Sequence, residues 1–305
     1  MQKNKNREEK TRVGYVSLIG RPNVGKSTLL NRLLGQKISI ISDKPQTTRI
    51  SILGIKTTRK GQIIFIDNPG IHKPLHRLNK RMMSFVYSSL ETADLICLLI
   101  DATLKFGGGD EFVIDSLRNV STPVFLLINK VDIIKKEKVL LLIDRYKDLF
   151  PFAEIIPISA LKGTNIDVLE ENIYQFLPEA ERVFSKGELS TQTQRFLLSE
   201  IIREKMLKYV EKELPFMTAV LLDKIEKRKT RGRPLTYIHG DIFVERETHR
   251  KIILGKHGSL IKKIGIEARK EIEEILKSKV FLDLHVRVKK RWRDSANVLE
   301  LIEQQ

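Results

Sequence analysis

The chain is poor in cysteine, tryptophan and negative charge, and it has no long apolar run. A single cysteine, Cys97, in 305 residues excludes a disulfide scaffold and a four-cysteine zinc module. It lies in Asp94-Leu-Ile-Cys97-Leu-Leu-Ile100, where it reads as a small core residue in a reducing compartment. The six histidines show no metal-ligand spacing along the chain; His72 and His76 are four apart, but Pro74 interrupts them. No stretch approaches the roughly 18 apolar residues of a membrane span. The opening Met1-Gln-Lys-Asn-Lys-Asn-Arg7 lacks the apolar centre of a secretory signal and reads as a polar tail. No internal repeat is visible.

Positive charge is in excess. There are 55 Lys and Arg against 38 Asp and Glu, a formal charge of +17. Residues 1–180 carry 27 basic against 19 acidic side chains, and residues 181–305 carry 28 against 19. The shorter C-terminal part is therefore the more densely basic. Two runs stand out, at residues 224–233 and 287–293. Such a balance suits polyanions, nucleic acid first and anionic lipid second. Trp292 in the second run reads either as a core cap or as a stacking surface for a base. Residues 227–233, with Gly232 and Pro234, read as a hairpin turn or mobile loop.

The most informative stretch is Gly20-Arg21-Pro22-Asn23-Val24-Gly25-Lys26-Ser27-Thr28. It fits the phosphate-cradling loop G-x-x-x-x-G-K-[ST] and sits between an apolar strand (13–19) and a run of helix formers (27–34). Gly20 and Gly25 let backbone N–H groups converge on phosphate oxygens without a Cβ in the way. The helix start adds N–H groups and the positive end of its dipole. Lys26 is placed to reach the β- and γ-phosphates, and the Ser27 hydroxyl to ligate Mg²⁺.

Three later motifs turn a phosphate binder into a guanine binder. The strand Gly61-Gln-Ile-Ile-Phe-Ile-Asp67 ends in a carboxylate and runs into Asn68-Pro69-Gly70-Ile71. Asp67 would hold the Mg²⁺ shell opposite Ser27, and the Gly70 N–H would meet the γ-phosphate. The strand at 123–128 leads into Asn129-Lys130-Val131-Asp132. Asp132 can accept from guanine N1 and the exocyclic amine together, a donor pair that adenine lacks. The strand at 155–158 leads into Ser159-Ala160-Leu161, where the Ala160 N–H would meet guanine O6. Each motif alone is an ordinary polar turn. Together they follow in chain order at the C-terminal ends of parallel strands, where open α/β sheets bind ligands. Residues 44–49 and 71–80 read as mobile segments that a γ-phosphate would order. Thr47 and Thr48 are both candidates there for a further Mg²⁺ ligand.

The pattern changes beyond Leu177-Pro178-Glu179. Helical spacing over 189–210 is followed by an alternating strand at 216–227. Next come a strand formed by 235–238 and 241–245, with a break at Gly240, and a helix at 248–254. The tetrad Gly255-Lys256-His257-Gly258 precedes a helix over 259–277 and a strand over 280–288. The order α-β-β-α-GxxG-α-β is that of a type II KH domain, whose GxxG loop clamps the backbone of about four single-stranded nucleotides. Lys256 and His257 point outward and add charge.

The motifs G-x-P-N-V-G-K-S-T-L-L-N, Gln46-Thr-Thr-Arg49, D-x-P-G-I and N-K-x-D, with the GxxG module behind them, resemble the Era GTPase family. Further matches are Lys37-Ile-Ser-Ile40, Ile264-Gly-Ile-Glu-Ala-Arg-Lys270 and Val286-Arg-Val-Lys-Lys-Arg-Trp292. The resemblance covers about residues 13–300. It implies an α/β P-loop GTPase domain with a doubly wound, mostly parallel sheet over 13–180, followed by a smaller α+β type II KH domain over 189–293. A disordered basic tail (1–12), a linker (181–188) and a C-terminal tail (294–305) complete the division. The resemblance also implies slow GTP hydrolysis to GDP, with Lys26, Asn23, Thr48 and Gly70 as the catalytic set. Its register prefers Thr48 over Thr47 as the Mg²⁺ ligand beside Ser27 and Asp67. Some relatives with an asparagine at the place of Asn23 bind K⁺, so K⁺ is an expected additional cofactor. The implied role is a monomeric, cytoplasmic 30S assembly factor that recognises the 3′ end of 16S rRNA and associates peripherally with the anionic inner membrane. A GTPase accessory of tRNA or RNA modification is the alternative; such relatives carry a separate modification domain, often with a catalytic cysteine. Arg21 and Asn68 depart from the family pattern, and both are expected to contribute backbone rather than side chain.

Overall fold

A computed structural model gives the architecture. It describes residues 11–230 and 233–305, and these form two compact units. The terminal tail at 1–10 and the centre of the turn at 227–233 lie outside the described residues.

The first unit runs to Ser39 and adds Thr48–Lys73 and Met82–Thr191. Its strands are β1 (Thr11–Gly20), β2 (Ile52–Thr57), β3 (Gly61–Asp67), β4 (Leu95–Asp101), β5 (Val124–Asn129), β6 (Glu154–Pro157) and the short β7 (Glu179–Ala180). They pair in the order β2-β3-β1-β4-β5-β6, with β7 antiparallel on β1. All neighbours from β3 to β6 run parallel, and only β2 is antiparallel to β3. The strands β3, β4 and β5 read as unbroken apolar runs because both faces are covered, and every residue of β3 and β5 is buried. β1 lies between β3 and β4, so the chain reverses its winding there, and the crevice beyond the end of β1 is the expected ligand position. Helices α1 (Lys26–Leu34), α2 (Arg77–Thr92), α3 (Gly108–Asp115), α4 (Lys136–Lys147) and α5 (Ile166–Phe176) connect these strands. Residues 77–80, read as part of a mobile segment, are instead the first turn of α2.

The second unit is Gln192–Gln305 together with Ile40–Thr47 and Pro74–Arg81. Helix α6 (Gln194–Leu207), strands β8 (Thr218–Thr230) and β9 (Arg233–Val244), helices α7 (Glu247–Leu254) and α8 (Ser259–Leu276) and strand β10 (Lys279–Val288) follow the order read from the sequence. The sheet order is β10-β9-β8, with β10 parallel and β8 antiparallel to β9. One core joins Leu198, Ile202 and Met206 of α6 to Ile238 and Ile242 of β9 and Ile264, Ala268 and Ile272 of α8.

Four expectations need correction. α6 starts at Gln194 rather than near 189, because the Thr193 hydroxyl caps it by accepting from the Phe196 N–H (3.0 Å) and Ser190 upstream bridges Gly54. Gly240 does not break β9. A Cβ there would come within 2.5 Å of Leu222 Cδ2, so the glycine permits a close strand approach. The C-terminal tail contains a helix, α9 (Ala296–Glu303), held by buried Val298, Leu299 and Ile302. Thr11 and Arg12, assigned to the N-terminal tail, begin β1 and pair with β7. Ile40, in turn, is buried in the core of the second unit; no periodic signal in the sequence announces that.

Candidate nucleotide and nucleic-acid sites

β1 ends at Gly20 and α1 begins at Lys26, so the five residues between must turn tightly. Gly20 (φ 144°), Asn23 (φ 63°) and Gly25 (φ 102°) take left-handed backbone conformations. At Gly25 a Cβ would come 2.3 Å from Asn129 Nδ2, so both its conformation and its space call for glycine. No side chain caps the start of α1 and no acidic residue lies in its first turn. Its positive end is therefore not neutralised from within the helix.

Lys26 is buried and its ammonium donates to the carbonyls of Gly20 (3.3 Å) and Arg21 (3.1 Å). Burial lowers its pKa to about 8, with Asp67 opposing the shift. Asp67 is also fully buried. Desolvation raises its pKa, while Ser27, Lys26 and Ser39 work against that. Asp67 Oδ2 accepts from the hydroxyls of Ser27 (2.6 Å) and Ser39 (3.0 Å), and Thr48 Oγ1 is 3.0 Å from Ser27 Oγ. Asp67 Oδ1 is buried and has no hydrogen-bond partner among the described residues. Ser27, Thr48 and Asp67 thus form an all-oxygen donor set with one anionic oxygen unsatisfied, as a hard cation such as Mg²⁺ requires. The Thr47 hydroxyl instead donates to the Lys44 carbonyl (2.6 Å).

The loop after β3 packs on the P-loop. The Ile71 N–H donates to the Gly20 carbonyl (3.0 Å), and a Cβ on Gly70 would meet Pro22. Ile71 is buried. Asn68 does more than lend its backbone. Its amide donates to Ser17 Oγ (3.0 Å) and to the Leu18 and Ile66 carbonyls (3.3 Å each), and its carbonyl accepts from Ser51 (2.7 Å). Arg21 likewise uses its side chain, pairing with Asp110 at 2.8 Å. Both departures from the family pattern are therefore built into the packing.

The base-reading residues converge at the ends of β5 and β6. Asn129 donates to the Val24 carbonyl (2.7 Å) and accepts from the Ala160 N–H (2.9 Å), tying three loops together. The sequence reading assigns that N–H to guanine O6. It is buried, and Asn129 Oδ1 is the acceptor it takes. Lys130 is left-handed (φ 68°) and its ammonium reaches Asp101 (2.5 Å) and the Asn23 carbonyl (3.0 Å). Burial pushes the Asp101 carboxyl up, but Lys130 and Thr103 hold it below its ordinary value. Asp132 is exposed and is oriented by the Ser159 hydroxyl (2.6 Å). The Leu161 side chain is exposed, and its carbonyl accepts from Arg32.

In the second unit the GxxG loop joins α7 to α8. Gly255 (φ 69°), His257 (φ 52°) and Gly258 (φ 75°) are left-handed, and Lys256 and His257 are exposed. Along α8, which follows this loop, a groove of about 410 Å³ is lined by Lys262, Gly265, Ile266 and Arg269 and by Phe281, Leu282 and Asp283 of β10. The sequence reading names the loop but not this wall. The available signal is the spacing Lys262–Ile266–Arg269, which shares one helix face. Trp292 is fully buried and donates to the Met217 carbonyl (3.1 Å), so it is a core residue rather than a stacking surface.

Comparison with known proteins agrees with this geometry. A family model described as 50S ribosome-binding GTPase matches residues 15–130, and a KH domain model matches residues 219–293. GTPase Era of Heliobacterium modesticaldum is 43% identical over 291 residues, covering 95% of this chain and 96% of that protein. The protein of the same name from Halothermothrix orenii is 45% identical over 287 residues, covering 94% and 96%. The chain belongs to the Era GTPase family. A solved structure of Era with MgGDPNP and nucleotides 1506–1542 of 16S ribosomal RNA superposes with a TM-score of 0.92, at 42% identity over 96% of this chain and 98% of that one. A single-residue variant of Aquifex aeolicus Era bound to GDP·AlF4⁻ gives 0.91 at 42% identity, covering 96% and 99%. The chain is thus an Era-type GTPase with a C-terminal KH domain. Among its described residues no helix is long and apolar enough to cross a membrane.

Proposed function

We propose that this chain is a GTP-switched factor that holds the 3′ end of 16S rRNA in its KH groove and assists maturation of the 30S subunit. Support comes from the family, from the relative solved with nucleotides 1506–1542 of 16S rRNA, and above all from one observation. The groove between α8 and β10 sets apolar Ile266 and Phe281 beside cationic Lys262 and Arg269, with Asp283 also in its lining, along the helix that follows the GxxG tetrad. Bases find stacking area there and phosphates find charge. Association with anionic membrane would draw on the same basic surface, and the monomer is the form in which we expect it to act.

In the nucleotide site the P-loop N–H groups and Lys26 bind the phosphates, and Asp132 with Ser159 behind it selects guanine. Ser27, Thr48 and Asp67 would hold Mg²⁺, which supplies charge neutralisation at the β- and γ-phosphates. Thr48 is chosen over Thr47 because its hydroxyl reaches Ser27. Gly70 offers its N–H to the γ-phosphate. Ile71 follows it with an apolar side chain that cannot orient water, so intrinsic turnover is slow. Asn23 is the residue from which K⁺ would be held.

The test replaces Lys256 and His257 together by Asp. RNA carrying the 3′-terminal 16S sequence should bind at least tenfold more weakly to this variant, measured by filter retention, while GTP titration of the same preparation is unchanged. Undiminished RNA affinity would make the loop a plain helix turn and assign binding to the basic runs.

A further inference from the structure

The KH sheet places a second constellation on the face opposite its core. Asp283 and His285 are two residues apart on β10 and so project from the same face. His239 on β9 stands directly opposite Asp283 in the parallel register. One ligand atom from each of the three lies within 4.8 Å of the other two. His285 Nε2 is 3.2 Å from Asp283 Oδ1, and the two imidazole rings meet edge-on at 5.0 Å.

Two of the three inner groups, His239 and Asp283, have an outer partner. His239 Nδ1 is 2.6 Å from Asp223 Oδ1. Asp223 is the unpaired residue of a β-bulge, since Leu222 faces Gly240 and Lys224 faces His239. Bulges re-aim side chains in this way. Asp283 uses its other oxygen, Oδ2, to accept from the Tyr237 hydroxyl (2.9 Å). Tyr237 is itself fixed between the Arg228 guanidinium, 3.7 Å above its ring, and the stacked ring of Phe281.

We propose that His239, Asp283 and His285 bind a divalent transition-metal ion of the zinc type, with Asp223 and Tyr237 as its outer hydrogen-bond partners. A metal-ligating histidine characteristically donates its other ring N–H to a carboxylate, and a ligating carboxylate is itself hydrogen-bonded; both relations are present. Two imidazoles and a carboxylate favour zinc, nickel, cobalt or copper over Mg²⁺ and Ca²⁺, which take oxygen donors. Three protein ligands leave a fourth position to water. Donors at about 2.0–2.2 Å from a tetrahedral zinc stand roughly 3.4 Å apart. His285 and Asp283 already stand at 3.2 Å, and a pair at the 4.8 Å limit would close by about 1.4 Å, within reach of the partly exposed His285 and Asp283 side chains. The Asp223 and Asp283 carboxylates balance the charge of the ion. Bound metal would staple β10 to β9.

Full-length protein is loaded with GDP and excess Mg²⁺, so that the nucleotide site stays occupied, and titrated with ZnCl₂ at pH 7.5 by calorimetry. One equivalent should bind with micromolar or tighter Kd. His239→Ala and His285→Ala should each weaken it at least 100-fold. Tyr237→Phe and Asp223→Asn, which leave the three ligands intact, should weaken it by about 10–100-fold. CoCl₂ should give a visible d–d absorption that the histidine variants lose. Zinc binding that is equal in wild type and both histidine variants, or no binding at all, overturns the proposal.

Discussion

Lys26 and Asp67 show how a phosphate site is primed at the level of single residues. Both are buried; each opposes the cost of burying the other's charge, and Ser27 and Ser39 add hydrogen bonds to Asp67. With its pKa lowered to about 8, the Lys26 ammonium is lost from the free site above that pH. Only the ammonium pairs with phosphate. GTP affinity should therefore fall towards tenfold per pH unit above about pH 8, as titration between pH 7 and 9.5 would read. A flat profile would mean that Lys26 stays charged throughout. The sign for stability is the reverse. The unfolded chain keeps this proton up to its ordinary pKa of 10.5, so the position destabilises least at high pH, and its contribution rises from about pH 8 to 10.5. At Asn23, hydrolysis should be faster in K⁺ than in Na⁺, and Asn23→Ala should weaken the difference. Equal rates in both salts would remove K⁺ from the site.

At the scale of elements, the sequence is most legible where period and punctuation agree. β1, α1, β3 and β5 lie where the apolar runs and the P-loop glycines put them, because a strand buried on both faces leaves no other reading. The GxxG loop is equally clear. Features made by distant pairing are not legible. His239 is 44 residues from Asp283 in sequence, and only the β9–β10 register sets them side by side. Asn68 and Arg21 gain structural roles through partners at Ser51 and Asp110 that no local pattern announces. α9 reads as tail because its eight residues follow a charged run, yet Leu299 is fully buried. Leu299→Ala should cost about 2–5 kcal/mol in the urea transition of the KH unit. A change below about 0.5 kcal/mol would mean that α9 is only loosely held.

For the molecule as a whole, the chain's course carries the argument. Ile40–Thr47 and Pro74–Arg81 fold with the second unit. There the Ile41 N–H donates to Glu204, the Thr47 carbonyl accepts from Arg203, and the Arg77 N–H donates to Asp294. Thr48, the next residue after Thr47, belongs to the nucleotide unit and meets Ser27. One peptide bond thus joins a segment anchored among KH residues to a candidate Mg²⁺ ligand. A ligand shifts a conformational equilibrium only through its differential affinity for the two states, and the coupling is reciprocal. The measurement that tests this most directly is RNA affinity in two nucleotide states, with a non-hydrolysable GTP analogue and with GDP, using the 16S 3′-terminal RNA. The analogue-bound form should bind more tightly by about 1–3 kcal/mol, roughly 5–150-fold. Identical affinities would show that the two domains are merely tethered, and the switch would have to be abandoned.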